Sequence, residues 1–70
     1  MFVWDARYQE QWESDREFGL FQNKADAKKA CQDEQDKDNP RPLKWNNTRR
    51  VYAEALASFG NYAVIRREVN

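Results

Sequence analysis

Apolar and polar residues alternate at the start of the chain. Every second position is apolar, in the series Phe2, Trp4, Ala6 and Tyr8. A period of two is typical of a strand with one buried face, so we predict a strand with a strongly aromatic inner face. The segment 17–21 is predicted to form a second short strand, in which Gly19 marks a bulge or a close approach of another backbone.

A helix is predicted after the second strand, from Lys24 to about Gln32 or Gln35. Asn23 is a favourable N-cap, and Asp26 stands where a capping box places its acid. Small side chains allow a helix to lie close to a sheet, so we expect the rings of the strands to supply most of the core volume. The inward stripe of small residues is predicted to be Ala27, Ala30 and Cys31.

Residues 33–42 are predicted to form an exposed acidic and proline-containing linker. Acids run up to Asp38, and acidic side chains oppose the negative C-terminal end of a helix. Pro40 and Pro42 follow, and proline is incompatible with a helix interior.

The C-terminal part of the chain is predicted to form antiparallel strands joined by turns. A strand begins at Leu43, a turn follows at 46–48, and a second turn is predicted at 58–61. The stretch 51–57 fits two structures, because its alternation favours a strand and its alanines favour a helix; we favour the strand. Tyr62–Val69 has the clearest strand pattern in the chain.

Together these elements predict one α+β domain over residues 1–70. We expect an antiparallel sheet of four to five strands with one helix packed on one face, in the order β-β-α-β-β-β. A single cysteine allows no internal disulfide, and it is typical of a reducing compartment. We therefore expect a cytoplasmic protein with neither a leader nor a membrane-spanning segment, in the host cytoplasm if the chain is phage-encoded.

The formal net charge of zero conceals an uneven distribution. Residues 1–38 contain ten acids and six bases, a net charge of 6 − 10 = −4. Residues 39–70 contain six bases and two acids, a net charge of 6 − 2 = +4. The basic half also contains aromatic residues, so it suits an acidic partner, either a phosphate backbone or a carboxylate-rich protein.

Catalytic and metal-binding patterns are absent from the sequence. One cysteine and no histidine do not provide the ligands of a zinc site, and histidine is also the usual general base. Asp33, Asp36 and Asp38 lack the glycine and glutamate spacing of a calcium-binding EF-hand. We therefore expect a protein that is not an enzyme and that uses no metal or cofactor.

The candidate contact residues belong to two charged groups. One consists of basic and aromatic residues that suit an acidic partner: Arg49, Arg50, Arg66, Arg67, Trp45 and Tyr52. The other consists of the linker acids Asp33, Asp36 and Asp38. The alternative interpretation is that one arginine of each pair is merely solvated on the outer face while the rings fill the core.

The segment Glu17–Ala30 resembles small orphan bacteriophage proteins. In those proteins a short strand ending in Gly-x-Phe leads into Thr-Lys-x-x-Ala-x-x-Ala at a helix start. Here Asn23 replaces the threonine, while Lys24, Ala27 and Ala30 match. The closing strands are similar as well, through Leu43-x-Trp45 and Gly60-x-Tyr62-x-x-Ile65.

Part of the same pattern resembles the small arm-binding domain of phage integrases, which binds DNA through its sheet. The sheet of that domain is basic, whereas residues 8–17 here are acidic. This difference argues against DNA binding by the N-terminal strands.

Two functions are therefore predicted. The first is a small, non-enzymatic phage-type protein that binds a host protein, such as a nuclease, a polymerase or a defence complex, and inhibits or modulates it. The alternative is a nucleic-acid-binding accessory module that uses a basic C-terminal sheet. Self-association through the edge of the last strand, Tyr62–Val69, is a third expectation.

Overall fold

The computed structural model describes residues 1–10, 14–57 and 60–69. Within these ranges the chain forms five strands and one helix, which confirms the predicted fold class and element order. The elements are β1 (Phe2–Glu10), β2 (Arg16–Phe21), α1 (Lys24–Asp38), β3 (Trp45–Arg49), β4 (Tyr52–Leu56) and β5 (Gly60–Glu68).

All five strands belong to one antiparallel sheet with the order β2-β1-β5-β4-β3. β5 is the central strand: Val64 pairs with Ala6 of β1 on one side and with Ala53 of β4 on the other. Over Asn61–Ile65 both edges of β5 are paired within the sheet, so a second copy cannot add to that part of the predicted Tyr62–Val69 edge. Self-association itself stays a prediction. The outermost strands are β2 and β3.

The helix packs against one face of the sheet, which we call the covered face; the opposite surface is the open face. Small helix residues meet aromatic and aliphatic strand residues between the two layers, as predicted. The buried cluster consists of Ala6, Ala27, Cys31, Tyr62 and Val64. Partly buried rings surround it, including Trp4, Tyr8, Phe18 and Phe21.

A bulge interrupts the pairing of β1 with β2. Ala6 lies opposite Gly19 and Arg7 lies opposite Glu17, so the register shifts by one residue. Gly19 has a φ of 128°, a conformation that residues with a Cβ rarely adopt. The predicted bulge at this glycine is confirmed.

The start of α1 is capped as predicted. The Asp26 backbone N–H donates to Asn23 Oδ1 at 2.9 Å, and Asn23 Nδ2 donates to Asp26 Oδ2 at 3.0 Å. These two bonds give the first turn a reciprocal cap that resembles a capping box.

The helix ends later than the sequence predicts, and residues 33–38 of the predicted linker are helical. Glutamine side chains hold the segment that follows: Gln32 Nε2 donates to the Arg41 carbonyl at 2.7 Å, and Gln32 Oε1 accepts from the Leu43 N–H at 2.8 Å. Gln35 Nε2 donates to the Asn39 carbonyl at 2.7 Å. These bonds fasten the chain after the helix to its last turns, which offsets the unfavourable acids there.

The turn predicted at 46–48 is also displaced. Trp45 pairs with Ala55 and Arg49 pairs with Tyr52, so the turn lies at residues 50–51. Pairing with β4, together with a 3.1 Å bond from Lys28 Nζ to Asn47 Oδ1, overrides the turn preference of the asparagines.

The strand prediction for 51–57 is confirmed by β4. Of the second predicted turn, at 58–61, residues 58 and 59 lie outside the described residues, and Gly60 begins β5.

Candidate binding surfaces

The four arginines predicted as contact residues lie at one end of the sheet. Beyond the Tyr52–Ile65 pair, the Arg66 N–H donates to the Val51 carbonyl at 2.8 Å, which brings the β3–β4 turn beside the last residues of β5. We call this group the arginine end: Arg49, Arg50, Arg66 and Arg67.

These arginines do not share one face. Arg66 lies on the covered side, where its guanidinium carbon is 4.1 Å from the centroid of the Phe2 ring. Arg67 lies on the open face, and its Nε donates to Asp5 at 3.2 Å. Because Arg49 stands opposite Tyr52 in the ladder, it also belongs to the open face. The positive charges therefore surround the end of the sheet.

Three arginines of this end have no carboxylate partner among the described residues. Arg49, Arg50 and Arg66 form no salt bridge there, whereas Arg67 is paired with Asp5. Arg49 and Arg50 are exposed. Uncompensated, exposed guanidinium groups are suited to bidentate contacts with carboxylates or phosphates.

The two aromatic residues predicted as contacts lie apart from each other. Trp45 packs against the covered core, and Lys28 Nζ lies 5.4 Å from the centroid of its ring. Tyr52 lies on the open face and donates its hydroxyl to Glu54 Oε2 at 3.1 Å. Burial, reinforced by this bond, raises the pKa of Tyr52. Both rings are therefore engaged in contacts within the chain.

The predicted acidic contacts lie in the last turns of α1. Asp33 is exposed, and Asp36 accepts a 2.8 Å bond from Gln32 Nε2. Asp38 is the last residue of the helix. The described residues contain no group of three or more histidine, cysteine or carboxylate side chains arranged to hold a metal ion.

The open face contains an ion cluster that sequence reasoning missed. Arg7 donates to Asp5 at 2.6 Å, to Glu17 at 2.8 Å and to Asp15 at 3.0 Å. The hydrogen bond to Asp5 is the main reason that the pKa of Arg7 is raised, and desolvation opposes it. The alternation that places residues 5 and 7 on one face was the available signal. These contacts pair three acids of the N-terminal half with an arginine of the same chain.

A cavity of about 570 Å³ lies at the opposite end of the sheet from the arginines. Its wall includes three neighbouring rings, with centroids 4.9 Å apart for Tyr8 and Tyr62 and 6.0 Å apart for Phe18 and Tyr62. Sequence reasoning assigned Tyr8 to the inner face and named no site here. The available signal was that inward positions hold tyrosine rather than phenylalanine, which places hydroxyl groups on the inner face.

Cys31 is buried between α1 and the sheet. Desolvation raises the pKa of its thiol from 9.0 to about 12. Since the thiolate is the reactive form, this cysteine behaves as a packing residue at neutral pH.

Comparison with protein-family models, with curated proteins and with solved structures found no match to this chain. Within the described ranges, no helix combines the length and the apolar character needed to cross a bilayer.

Proposed function

We propose that this protein is a small binding protein without catalytic chemistry, which docks on an acidic surface of another protein through the arginine end. The observation that carries the proposal is the clustering of Arg49, Arg50 and Arg66, none of which is paired with a carboxylate among the described residues. In contrast, Arg7 engages carboxylates of the N-terminal half. The charge available to a partner is therefore mainly positive at this end.

Several features support a protein partner over nucleic acid. Sheets that bind single strands use exposed rings as stacking platforms. Here the Trp45 ring is packed and covered by Lys28, and carboxylates of Asp5 and Glu17 lie on the open face. The formal net charge of zero is also unlike the strongly basic balance of most DNA-binding domains.

The size of the molecule suits a function that consists of covering a surface. A standard interface buries about 800 Å² on each partner. The described protein exposes 5154 Å², so such an interface would use roughly one sixth of it. A partner bound in this way would have one of its own binding sites covered, or its activity redirected. The host enzyme expected from the phage resemblance stays a prediction.

The experiment is affinity capture with the tagged full chain, with and without nuclease treatment of the lysate. The test variant is Arg49→Glu with Arg50→Glu. The matched control is Lys29→Glu with Lys44→Glu, which makes the same change in charge at two exposed positions outside the arginine end. Folding of both variants is checked by circular dichroism.

A discrete protein that survives nuclease treatment, is captured by the control and is lost with the test variant is the expected result. Loss of all captured material on nuclease treatment would replace the proposal by nucleic-acid binding, with a steep dependence on salt. Equal capture by the test variant and the control would show that the arginine end is not the docking surface.

A further inference from the structure

Two tyrosines, Tyr8 and Tyr62, line the cavity at the far end of the sheet. Neither the Tyr8 hydroxyl nor the Tyr62 hydroxyl forms a hydrogen bond with a described residue, whereas the hydroxyl of Tyr52 does. Tyr62 is only 6% exposed. Buried tyrosines usually find a partner for their hydroxyl, so Tyr62 requires an explanation.

The cavity accounts for the Tyr62 hydroxyl. Among the described residues, Arg7 Nε is the only buried side-chain polar atom that is both sealed from solvent and without a partner. The Tyr62 hydroxyl is therefore not sealed, and the cavity that Tyr62 lines is its route to solvent. Burial, with Tyr8 and Glu34 nearby, raises the pKa of Tyr62, so its hydroxyl remains a donor at neutral pH.

The arrangement of the rings indicates the shape of a ligand. A cage for a cation needs rings set apart around an empty centre. Here the Tyr62 ring lies directly beside both Tyr8 and Phe18, at interplanar angles of 53° and 37°. The three rings therefore form one wall of the cavity and leave no empty centre between them. Arg16 already lies 5.9 Å from the centroid of the Phe18 ring. Such a wall suits a flat ring that stacks on it rather than a cation that is surrounded.

The charges around the cavity indicate an uncharged ligand. Its described lining contains two cations, Arg16 and Lys37, and two carboxylates, Glu10 and Glu34. Glu34 pairs with both cations, at 3.1 Å with Arg16 and at 3.6 Å with Lys37. A charged ligand would have to displace one of these partners. The volume of about 570 Å³ lies within the range of small-molecule sites.

We propose that this cavity binds a small, uncharged heteroaromatic molecule, whose ring stacks on the aromatic wall and whose polar edge bonds to the hydroxyls of Tyr8 and Tyr62. The site is independent of the arginine end, because the two lie at opposite ends of β1 and β5. It requires no chemistry from the protein beyond hydrogen bonding and stacking.

The test is an NMR titration of the isotope-labelled full chain with cytosine and with adenine, and with toluene as a ring that lacks a polar edge. The variants are Tyr62→Phe and Tyr8→Phe, each of which removes one hydroxyl oxygen. Tyr52→Phe is the matched control, because it removes a hydroxyl on the open face. Two cavity variants are made so that a folding defect in one leaves the other for comparison.

The expected result is a saturable shift of the Tyr8, Phe18 and Gln35 signals with a heteroaromatic probe, and weaker binding of toluene. Loss of one neutral hydrogen bond should weaken affinity roughly three- to tenfold in each cavity variant and leave Tyr52→Phe unchanged. The proposal is overturned if no probe gives a saturable shift at millimolar concentration, if the cavity variants bind as the wild type does, or if toluene binds as tightly.

Discussion

On the covered face, α1 and the sheet meet through small side chains and rings, whereas no other described element lies over the open face, which is closed by its own long side chains. Val64 and Ile65 show the difference within one strand: Val64 is fully buried under the helix, and its neighbour Ile65 is only partly buried. The covered face excludes water by close packing. The open face keeps polar contacts, with Asp5 nearly buried beneath arginine side chains.

This contrast teaches where each face is vulnerable. Close packing leaves no room for added volume, so the covered face should be sensitive to size. The open face should be sensitive to charge, but only where the charge is shielded from water.

The largest effect is expected from Ala27→Leu. Ala27 is 0% exposed between α1 and the sheet, and three additional carbons would push the helix away. We expect a loss of about 2–3 kcal/mol in the free energy of unfolding, measured by urea denaturation. Ala25→Leu, at an exposed position of the same helix, should change it by less than about 0.5 kcal/mol. Equal losses at both positions would contradict close packing of this face.

On the open face, Asp5→Asn should cost more than Glu17→Gln. Both carboxylates accept from Arg7, at 2.6 Å and 2.8 Å, but the Asp5 side chain is 6% exposed and that of Glu17 is 68% exposed. We expect a loss of about 2 kcal/mol for Asp5→Asn, because it removes a shielded charge-assisted bond. For Glu17→Gln we expect less than about 0.5 kcal/mol.

Urea denaturation at low and high salt checks the same pair. The small effect of Glu17→Gln should decrease further in salt, and that of Asp5→Asn should persist, since buried pairs are screened less. Similar costs for both variants at low salt would show that burial does not distinguish the two carboxylates.

The features that the sequence predicted correctly are those that local patterns determine. Alternation placed Trp4, Ala6 and Tyr8 on the inner face, and the spacing of Ala27 and Cys31 placed them on the inner side of the helix. Both are periodic signals carried by a few adjacent residues. The cap at Asn23 belongs to the same class.

Features that depend on distant pairing were beyond the sequence. The central position of β5 follows from ladders with β1 and β4, and no local pattern encodes which strands are neighbours. The late end of α1 depends on bonds from Gln32 to Arg41 and Leu43. For the same reason, the sequence identified the residues of the arginine end as candidate contacts but did not show that they lie together. It gave no indication that the Tyr8 and Tyr62 hydroxyls meet at one cavity.

A pH dependence is expected from the covered face. The thiol of Cys31 has a pKa near 9 in the unfolded chain and about 12 in the folded protein, so above pH 9 the unfolded state releases a proton that the folded state keeps. Stability due to this group is therefore complete below pH 9 and falls as the pH rises towards 12. The decrease should reach about 1.4 kcal/mol per pH unit at most.

The contribution of the thiol to stability is measured by urea denaturation of the wild type and of Cys31→Ala. Both are measured in reducing buffer at several pH values from 7 to 10. Cys31→Ala should be less stable at pH 7 but lose less stability as the pH rises. Parallel pH profiles would show that the thiol is not shielded in the folded protein.

The smallest effect is expected from the exposed leucines of the open face. Leu20 is 65% exposed and Leu56 is 79% exposed, so the folded chain gains little from either side chain. Changing both to serine should alter the free energy of unfolding by less than about 0.5 kcal/mol. Val64→Ala on the covered face removes less apolar side chain than the two serine changes, but it should cost about 2 kcal/mol because Val64 is fully buried.

This prediction is also the strictest test of the contrast between the faces. It assumes that only long side chains of the same chain close the open face. If the serine variant loses more than about 1 kcal/mol, and if the loss grows with protein concentration, then a second copy covers Leu20 and Leu56 in solution. Sedimentation of the wild type would then show a dimer that the variant lacks. A concentration-independent result near zero would instead leave the open face uncovered in the free protein, with the arginine end beside it accessible to a partner.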